Sequence, residues 1–266
     1  MAVGGQAGRE MIATAGRIAA LALLAGAHAS AVELADKSFD GKRYVVCTVD
    51  LEKESLQLFL RDEHGAYFNN FENIDKWLAA RKRRLVFAMN AGMFHPGFGP
   101  VGLFVDQGNE LGHLNLDAGA ENFFLKPNGV FVATDSGASV VESSRFPAIL
   151  ARSGIAKMQV ATQSGPLLVI DGKLHPAFQA ESESRLFRNG VGVISKKRVV
   201  FAISSEPVNF HEFARLFRDG LGCANALFLD GTLSSLYTGD PARRVLRFPL
   251  GPIIGIVGVE DAARRN

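Results

Sequence analysis

The sequence predicts an α+β protein, a single domain built on a strand-rich mixed sheet with few helices. Three observations lead there. Short apolar runs recur along the chain at strand length, most of them closed by a polar residue such as Asp50, Asn90, Asp171 or Asp230. The clearest helix, opening at Asn209, is one of very few. Strands and helices do not alternate, which excludes a doubly wound parallel sheet. The 266 residues, 47% of them hydrophobic, suffice for one sizeable core, and no Pro/Gly/Ser-rich stretch marks a linker.

The first segment is expected to lie outside the fold. Arg9 and Arg17 precede a short apolar run over 18–27, and Ala27-His28-Ala29 presents small residues where a signal peptidase reads. Residues 1–29 therefore read as a secretory signal peptide, too short to span a bilayer as a permanent anchor. The expected location is periplasmic or secreted. Cleavage after Ala29 removes Arg9, Arg17 and Glu10 and takes the formal charge from +2 to +1. So near-neutral a chain makes no electrostatic case for nucleic acid. No later window reaches membrane-spanning length.

The elements follow in order. Residues 44–49 and 56–60 are two strands joined by a charged loop, and 74–80 is a short helix. The basic run 81–84 suits a solvated helix C-terminus, and 85–89 is a buried strand. Residues 101–105 with Asp106-Gln107-Gly108 start a hairpin. Pro127-Asn128-Gly129 between apolar runs predicts another. Residues 160–162 and 167–170 read as a strand pair interrupted by Gln163-Ser164-Gly165-Pro166, and 191–194 and 199–203 as a pair turning at Ser195-Lys196-Lys197. The helix after Asn209 has Glu212 for a capping box and an apolar stripe of Phe210, Phe213, Leu216 and Phe217. Strands at 226–229, 245–248 and 253–259 complete the chain. Cys47 and Cys223 lie in apolar surroundings and suit either one disulfide or two buried thiols.

The chemistry collects where apolar runs end. The run 226–229 climbs to Asp230, meets Gly231, and then offers Ser234 and Ser235, which is how a strand delivers an acid to a sheet rim. Asn90 follows the apolar run 85–89 directly. Ser164-Gly165 brings a hydroxyl and an open backbone to a bend, without the Gly-x-Ser-x-Gly elbow of a serine hydrolase. Arg188 precedes an apolar strand and can fork onto a phosphate, and Lys126 sits beside a turn. Each segment alone also reads as an ordinary turn, strand end or surface cation. The six histidines show no paired metal-ligand spacing, and no Asp-x-Asp-x-Asp-Gly loop is present, so neither metal nor cofactor is expected.

Asn90-Ala-Gly-Met-Phe94, Lys126-Pro-Asn-Gly129, Gln163-Ser-Gly-Pro-Leu167, Arg188-Asn-Gly-Val-Gly192 and Leu229-Asp-Gly231 with Ser234-Ser235 occur in this order. Together they resemble the phosphodiester glycosidase family over roughly residues 42–259. Pro100-Val-Gly-Leu103 and Asn122-Phe-Phe-Leu-Lys126 are similar to its bacterial branch in particular. The resemblance implies a secreted hydrolase that cleaves the glycosidic bond of a sugar-phosphodiester on an envelope or extracellular glycan. Asp230 would be the catalytic carboxylate. Substrate contacts would come from Asn90, Lys126, Asn128, Gln163, Ser164, Gly165, Arg188, Gly231, Ser234 and Ser235, with Lys126 and Arg188 on the phosphate. Glu206 and Asp106 are candidates for a second carboxylate. Two departures stand out. The family's lysosomal members carry Asn-Gly-Gly-Phe-Phe at the first motif and Leu-Asp-Gly-Gly-Gly-Ser-Ser at the last, where this chain has Asn90-Ala-Gly-Met-Phe94 and Leu229-Asp-Gly-Thr-Leu-Ser-Ser235. The lost glycines leave an alternative open, a non-catalytic binder of phosphorylated envelope glycans.

Overall fold

The computed structural model describes residues 1–2, 32–231, 233–247 and 249–259. The proposed signal peptide, Thr232 and Phe248 thus lie outside the described residues, save Met1 and Ala2. All the strands and helices described belong to the compact unit that begins at Ala31.

The strands in chain order are β1 (Val32–Phe39), β2 (Lys42–Asp50), β3 (Leu56–Phe59), β4 (Arg83–Asn90), β5 (Phe104–Asp106), β6 (Asn109–Gly112), β7 (Gly129–Thr134), β8 (Gly137–Glu142), β9 (Met158–Ser164), β10 (Leu167–Ile170), β11 (Lys173–Leu174), β12 (Asn189–Ser195), β13 (Arg198–Ser204), β14 (Asn225–Asp230), β15 (Leu236–Thr238) and β16 (Ile253–Val259). The α-helices are α1 (Phe71–Ala79), α2 (Phe146–Ser153) and α3 (Phe210–Arg215). The fold is α+β and strand-rich, as expected. Its strands divide among a seven-stranded sheet (β1-β2-β13-β12-β14-β10-β11), a four-stranded sheet (β15-β4-β16-β3) and a five-stranded sheet (β6-β5-β9-β7-β8). Every strand pair among the described residues is antiparallel.

Period-2 alternation explains how three sheets share one core. On β13, Val199, Phe201 and Ile203 face inward, while Val200 and Ala202 face outward. Inward residues of all three sheets, including Phe87, Phe131, Phe201 and Leu229, form the central core. Each outer face is then covered by one helix. Phe213 and Ala214 of α3 pack on the seven-stranded sheet, Phe71, Ile74 and Leu78 of α1 on the four-stranded, and Phe146 of α2 on the five-stranded.

Caps set the helix starts. The Asn70 side chain accepts from the Asn73 N–H at 2.7 Å, so α1 begins before residue 74. Asn209 and Glu212 form the reciprocal capping box expected for α3, and Leu216–Gly220 continues that helix as a π-turn. At the C-terminal end of α1, Arg81 donates to the Trp77 carbonyl at 2.9 Å. No helix among the described residues is long and apolar enough to cross a membrane.

Several expectations change. Pro127-Asn128-Gly129 does not turn a hairpin. Residues Asn122–Phe124 form a single 3-10 turn, and β7 already has β8 and β9 as its two neighbours, so no edge is left for the preceding segment. The Asn128 side chain instead donates to the Phe123 carbonyl at 2.7 Å and folds that segment back. Strands β9 and β10 are not partners; the chain passes from one sheet to another through Gly165-Pro166. Strands β2 and β3 likewise separate into two sheets. Val245 makes only an isolated bridge to Leu236. Cys47 and Cys223 are two buried free thiols, the first in the central core and the second beneath α3.

Candidate active-site cleft

Asn90 ends β4, Asn189 opens β12 and Asp230 ends β14. The β12–β14 register sets Asn189 opposite Asp230. The Asn189 side chain then joins the seven-stranded and four-stranded sheets. Its Oδ1 accepts from the Asp230 N–H at 2.9 Å, and its Nδ2 donates to the Asn90 carbonyl and Oδ1, both at 2.9 Å. Asn90 Oδ1 also accepts from the Ser235 N–H at 2.9 Å. Ser234 Oγ donates to the Asp230 carbonyl at 2.8 Å, and Ser235 Oγ to the Arg247 carbonyl at 2.8 Å. Asn90, Asn189, Ser234 and Ser235 are all fully buried. The result is a polar lattice under the Asp230–Gly231 turn in which main-chain groups are matched by side-chain amides and hydroxyls.

Above it lies a cleft of about 610 Å³ with three walls. Residues 93–96 with Val101 make one, residues 120–122 another, and Asp230, Gly231 and Leu233 the third. The first wall is a tight loop: His95 N–H donates to the Gly99 carbonyl at 2.9 Å and Val101 N–H to the Met93 carbonyl at 3.0 Å. The volume falls in the range of small-molecule sites, about 300–1,000 Å³.

Of the residues singled out in the sequence, Asp230 and Gly231 line this cleft. Asn90, Ser234 and Ser235 form the lattice beneath it. Ser164 Oγ donates to the Leu229 carbonyl at 2.8 Å, holding the strand that carries Asp230. Gly165 leaves no room for a side chain, since a Cβ there would meet Asn128 Cβ at 2.6 Å. Gln163 Oε1 accepts from Leu103 N–H (3.0 Å) and Asn115 N–H (2.9 Å), and Asn128 holds Phe123, so both residues brace the segment that carries the 120–122 wall. Lys126 stands outside the cleft, with its ammonium on the Leu116 carbonyl at 3.2 Å.

Arg188 is not a surface hook but a fully buried side chain. Nε donates to the Val208 carbonyl (2.9 Å) and Nη2 to the Ser184 carbonyl (3.0 Å), while Nη1 is buried without a partner. That Nη1 lies 3.7 Å from where a Cβ on Gly231 would fall, directly under the cleft floor. Burial pushes its pKa down to about 10, which leaves it charged at neutral pH. A ring column supports the guanidinium: it sits 3.7 Å from the Phe210 centroid, Phe210 stacks on Phe178 (5.0 Å, 5°), and Phe178 stacks on His175 (4.7 Å, 24°).

His175 is 2% exposed, and burial draws its pKa below the ordinary 6.5, with the Lys126 main chain opposing. The native state therefore holds it neutral more firmly than the unfolded chain does. Its stabilising contribution is complete above pH 6.5 and is lost as the pH falls from there toward the lower folded value. Chemical denaturation across pH 7 to 5 is expected to show falling stability, and His175→Phe, which keeps a ring on the column, to flatten that slope.

The two other carboxylates suggested by the sequence are elsewhere. Glu206 accepts from the Arg43 N–H (3.0 Å) and from Lys42 (3.4 Å), which lowers its pKa. Asp106 accepts from the Leu58 N–H at 3.0 Å, and burial raises its pKa. The acid that shares the cleft with Asp230 is Glu121, an exposed residue at the cap of the 3-10 turn. Sequence reasoning missed it, as it missed His95 and Asn189. Asn189 was inside a motif already noticed, and the only signal for it was a second asparagine ahead of an apolar strand. Among the described residues no cluster of His, Cys, Asp or Glu could hold a metal ion.

The scaffold is strand-rich α+β, and Asp230 brings a carboxylate to the lining of its cleft. The chain belongs to the phosphodiester glycosidase family, whose profile matches residues 83–255, a span that contains every residue of the cleft named above. It is similar to the uncharacterized protein YigE of Escherichia coli (strain K12), at 28% identity over 209 residues, 79% of this chain and 80% of that protein. Among solved structures it resembles the zebrafish N-acetylglucosamine-1-phosphodiester alpha-N-acetylglucosaminidase catalytic domain auto-inhibited by pro-peptide, with a TM-score of 0.57, 14% identity, and coverage of 86% of this chain and 84% of that one. A putative exported protein from Burkholderia pseudomallei K96243 gives a TM-score of 0.52 at 11% identity, covering 81% of this chain and 74% of that one. These two structural likenesses speak to the fold.

Proposed function

We propose that the protein is an exported hydrolase that cleaves the bond between a sugar's anomeric carbon and the phosphate of a sugar-1-phosphodiester in an envelope or extracellular glycan. The observation that carries this reading is Asp230 at the cleft floor, with Glu121 on a second wall and the Arg188 charge underneath. Water adds at the anomeric carbon, the carbon–oxygen bond to phosphorus breaks, and the products are free sugar and a phosphomonoester. Asp230 acts at the anomeric carbon or its attacking water, and Glu121 is the second carboxylate. The departing phosphate is already a stable anion, so it needs less help from a proton donor than an ordinary sugar alcohol. Arg188 stabilises the charge that develops on it through the thin Gly231 floor, where the surrounding medium screens weakly. The basic-then-apolar segment before Ala29 supports export.

The test is a panel of methyl phosphodiesters of hexose and N-acetylhexosamine 1-phosphates with the purified mature chain. Release of free sugar from at least one is expected. The alternative, a binder of phosphorylated glycans, draws support from the last motif, where Thr232 and Leu233 stand in place of two glycines of the family's lysosomal members. Saturable binding with no release anywhere in the panel would select it.

A further inference from the structure

We infer that the alcohol on the far side of the phosphate is apolar, an aliphatic chain of the kind found in a lipid-linked sugar phosphate. It lies against the apolar residues of the cleft lining, Met93, Phe94, Pro96 and Val101 on one wall and Leu233 on another. The inference rests on the glycosidase reading above and adds the chemistry of the leaving group.

The cleft lining carries both polar and apolar side chains. Asp230, Glu121, Asn122 and His95 supply its polar side chains, enough to meet the hydroxyls of one sugar ring. The side chains of Met93, Phe94, Pro96, Val101 and Leu233 present only carbon and sulfur. A second sugar placed there would lose water from its hydroxyls and find no side-chain partners in return. An alkyl chain placed there gains roughly fourfold in affinity for each methylene it buries.

Two further observations agree. The wall is fixed in place: Phe94 stacks on Phe98 (6.0 Å, 29°), and Gly251 packs so close that a Cβ there would meet Phe94 Cγ at 2.5 Å. Charge points the same way. No lysine or arginine lines the cleft among the described residues. One buried guanidinium suits the single charge of a phosphodiester, whereas a polyanionic glycan would face Asp230 and Glu121 without surface cations to offset them.

The experiment compares the methyl and octyl phosphodiesters of whichever sugar 1-phosphate is turned over best, with the octyl ester kept below its micelle concentration. The octyl ester is expected to show a KM at least about tenfold lower, with kcat changed by less than about threefold, the pattern of binding made equally in ground and transition states. Leu233→Ser and, on the exposed side, Pro96→Ser are each expected to bring the octyl-to-methyl ratio of kcat/KM toward one. Equal kcat/KM for the two esters in the wild-type protein overturns the inference. If neither ester is hydrolysed, the glycosidase reading fails by itself, and calorimetry decides the rest. Tighter binding of the octyl ester upholds the apolar wall, and equal or absent binding of both esters refutes it.

Discussion

Asp230→Asn is expected to reduce sugar release by about a thousandfold or more, which corresponds to ~4 kcal/mol of lost transition-state stabilisation. The substitution keeps the shape of the side chain and removes its charge. The bonds that fix the turn are made by the Asp230 main chain, whose N–H donates to Asn189 and whose carbonyl accepts from Ser234. These bonds survive the change, so the folded variant should lose kcat, and the melt shows that it is folded when assayed. Steady-state kinetics on a responsive phosphodiester, paired with a thermal melt, reads both. A variant that folds and retains more than about a third of wild-type kcat would remove Asp230 from the reaction.

Asn189→Ala is expected to cost the most stability of any single change near the cleft. Truncation leaves the Asp230 N–H and the Asn90 carbonyl without their partner in a site with no access to water. Each orphaned group costs about 1–3 kcal/mol, so the total is ~3 kcal/mol. For a domain of this size that lowers the melting temperature by roughly 10 °C. Activity should fall further than stability, because Asn189 also sets where the strand bearing Asp230 ends relative to β4. Calorimetry and kinetics on the same preparation separate the two. A melting temperature within about 2 °C of wild type would show that the lattice does not hold the sheets together.

The strands were legible because their signal is local. The run 199–203 is apolar throughout, as a strand covered on both faces must be, and the Asn209–Glu212 box appears in the structure where the sequence places it. The division into three sheets was not legible, since pairing is a long-range choice. Nothing in the stretch from Met158 to Ile170 says that its two halves find different neighbours. The turn at Pro127-Asn128-Gly129 misled for the same reason: a local hairpin preference yields once β7 is bordered on both sides. Around the cleft, Asp230 stood out because an apolar strand climbs to it. Glu121 and His95 sit in irregular loops without periodicity, so only the folded chain brings them beside it. Asn189 was hidden because its two partners lie 99 and 41 positions away.

Among the described residues, Arg188 is held by aromatic faces and main-chain carbonyls, with no carboxylate in an ion pair. An arginine fixed by an acid would be half cancelled, and its field would rise and fall as that acid titrates. Fixed by neutral groups, it keeps its positive charge from acidic conditions through neutral pH, since burial lowers its pKa only to about 10. Under its cleft the protein thus carries a positive charge that no titrating ion-pair partner switches on or off.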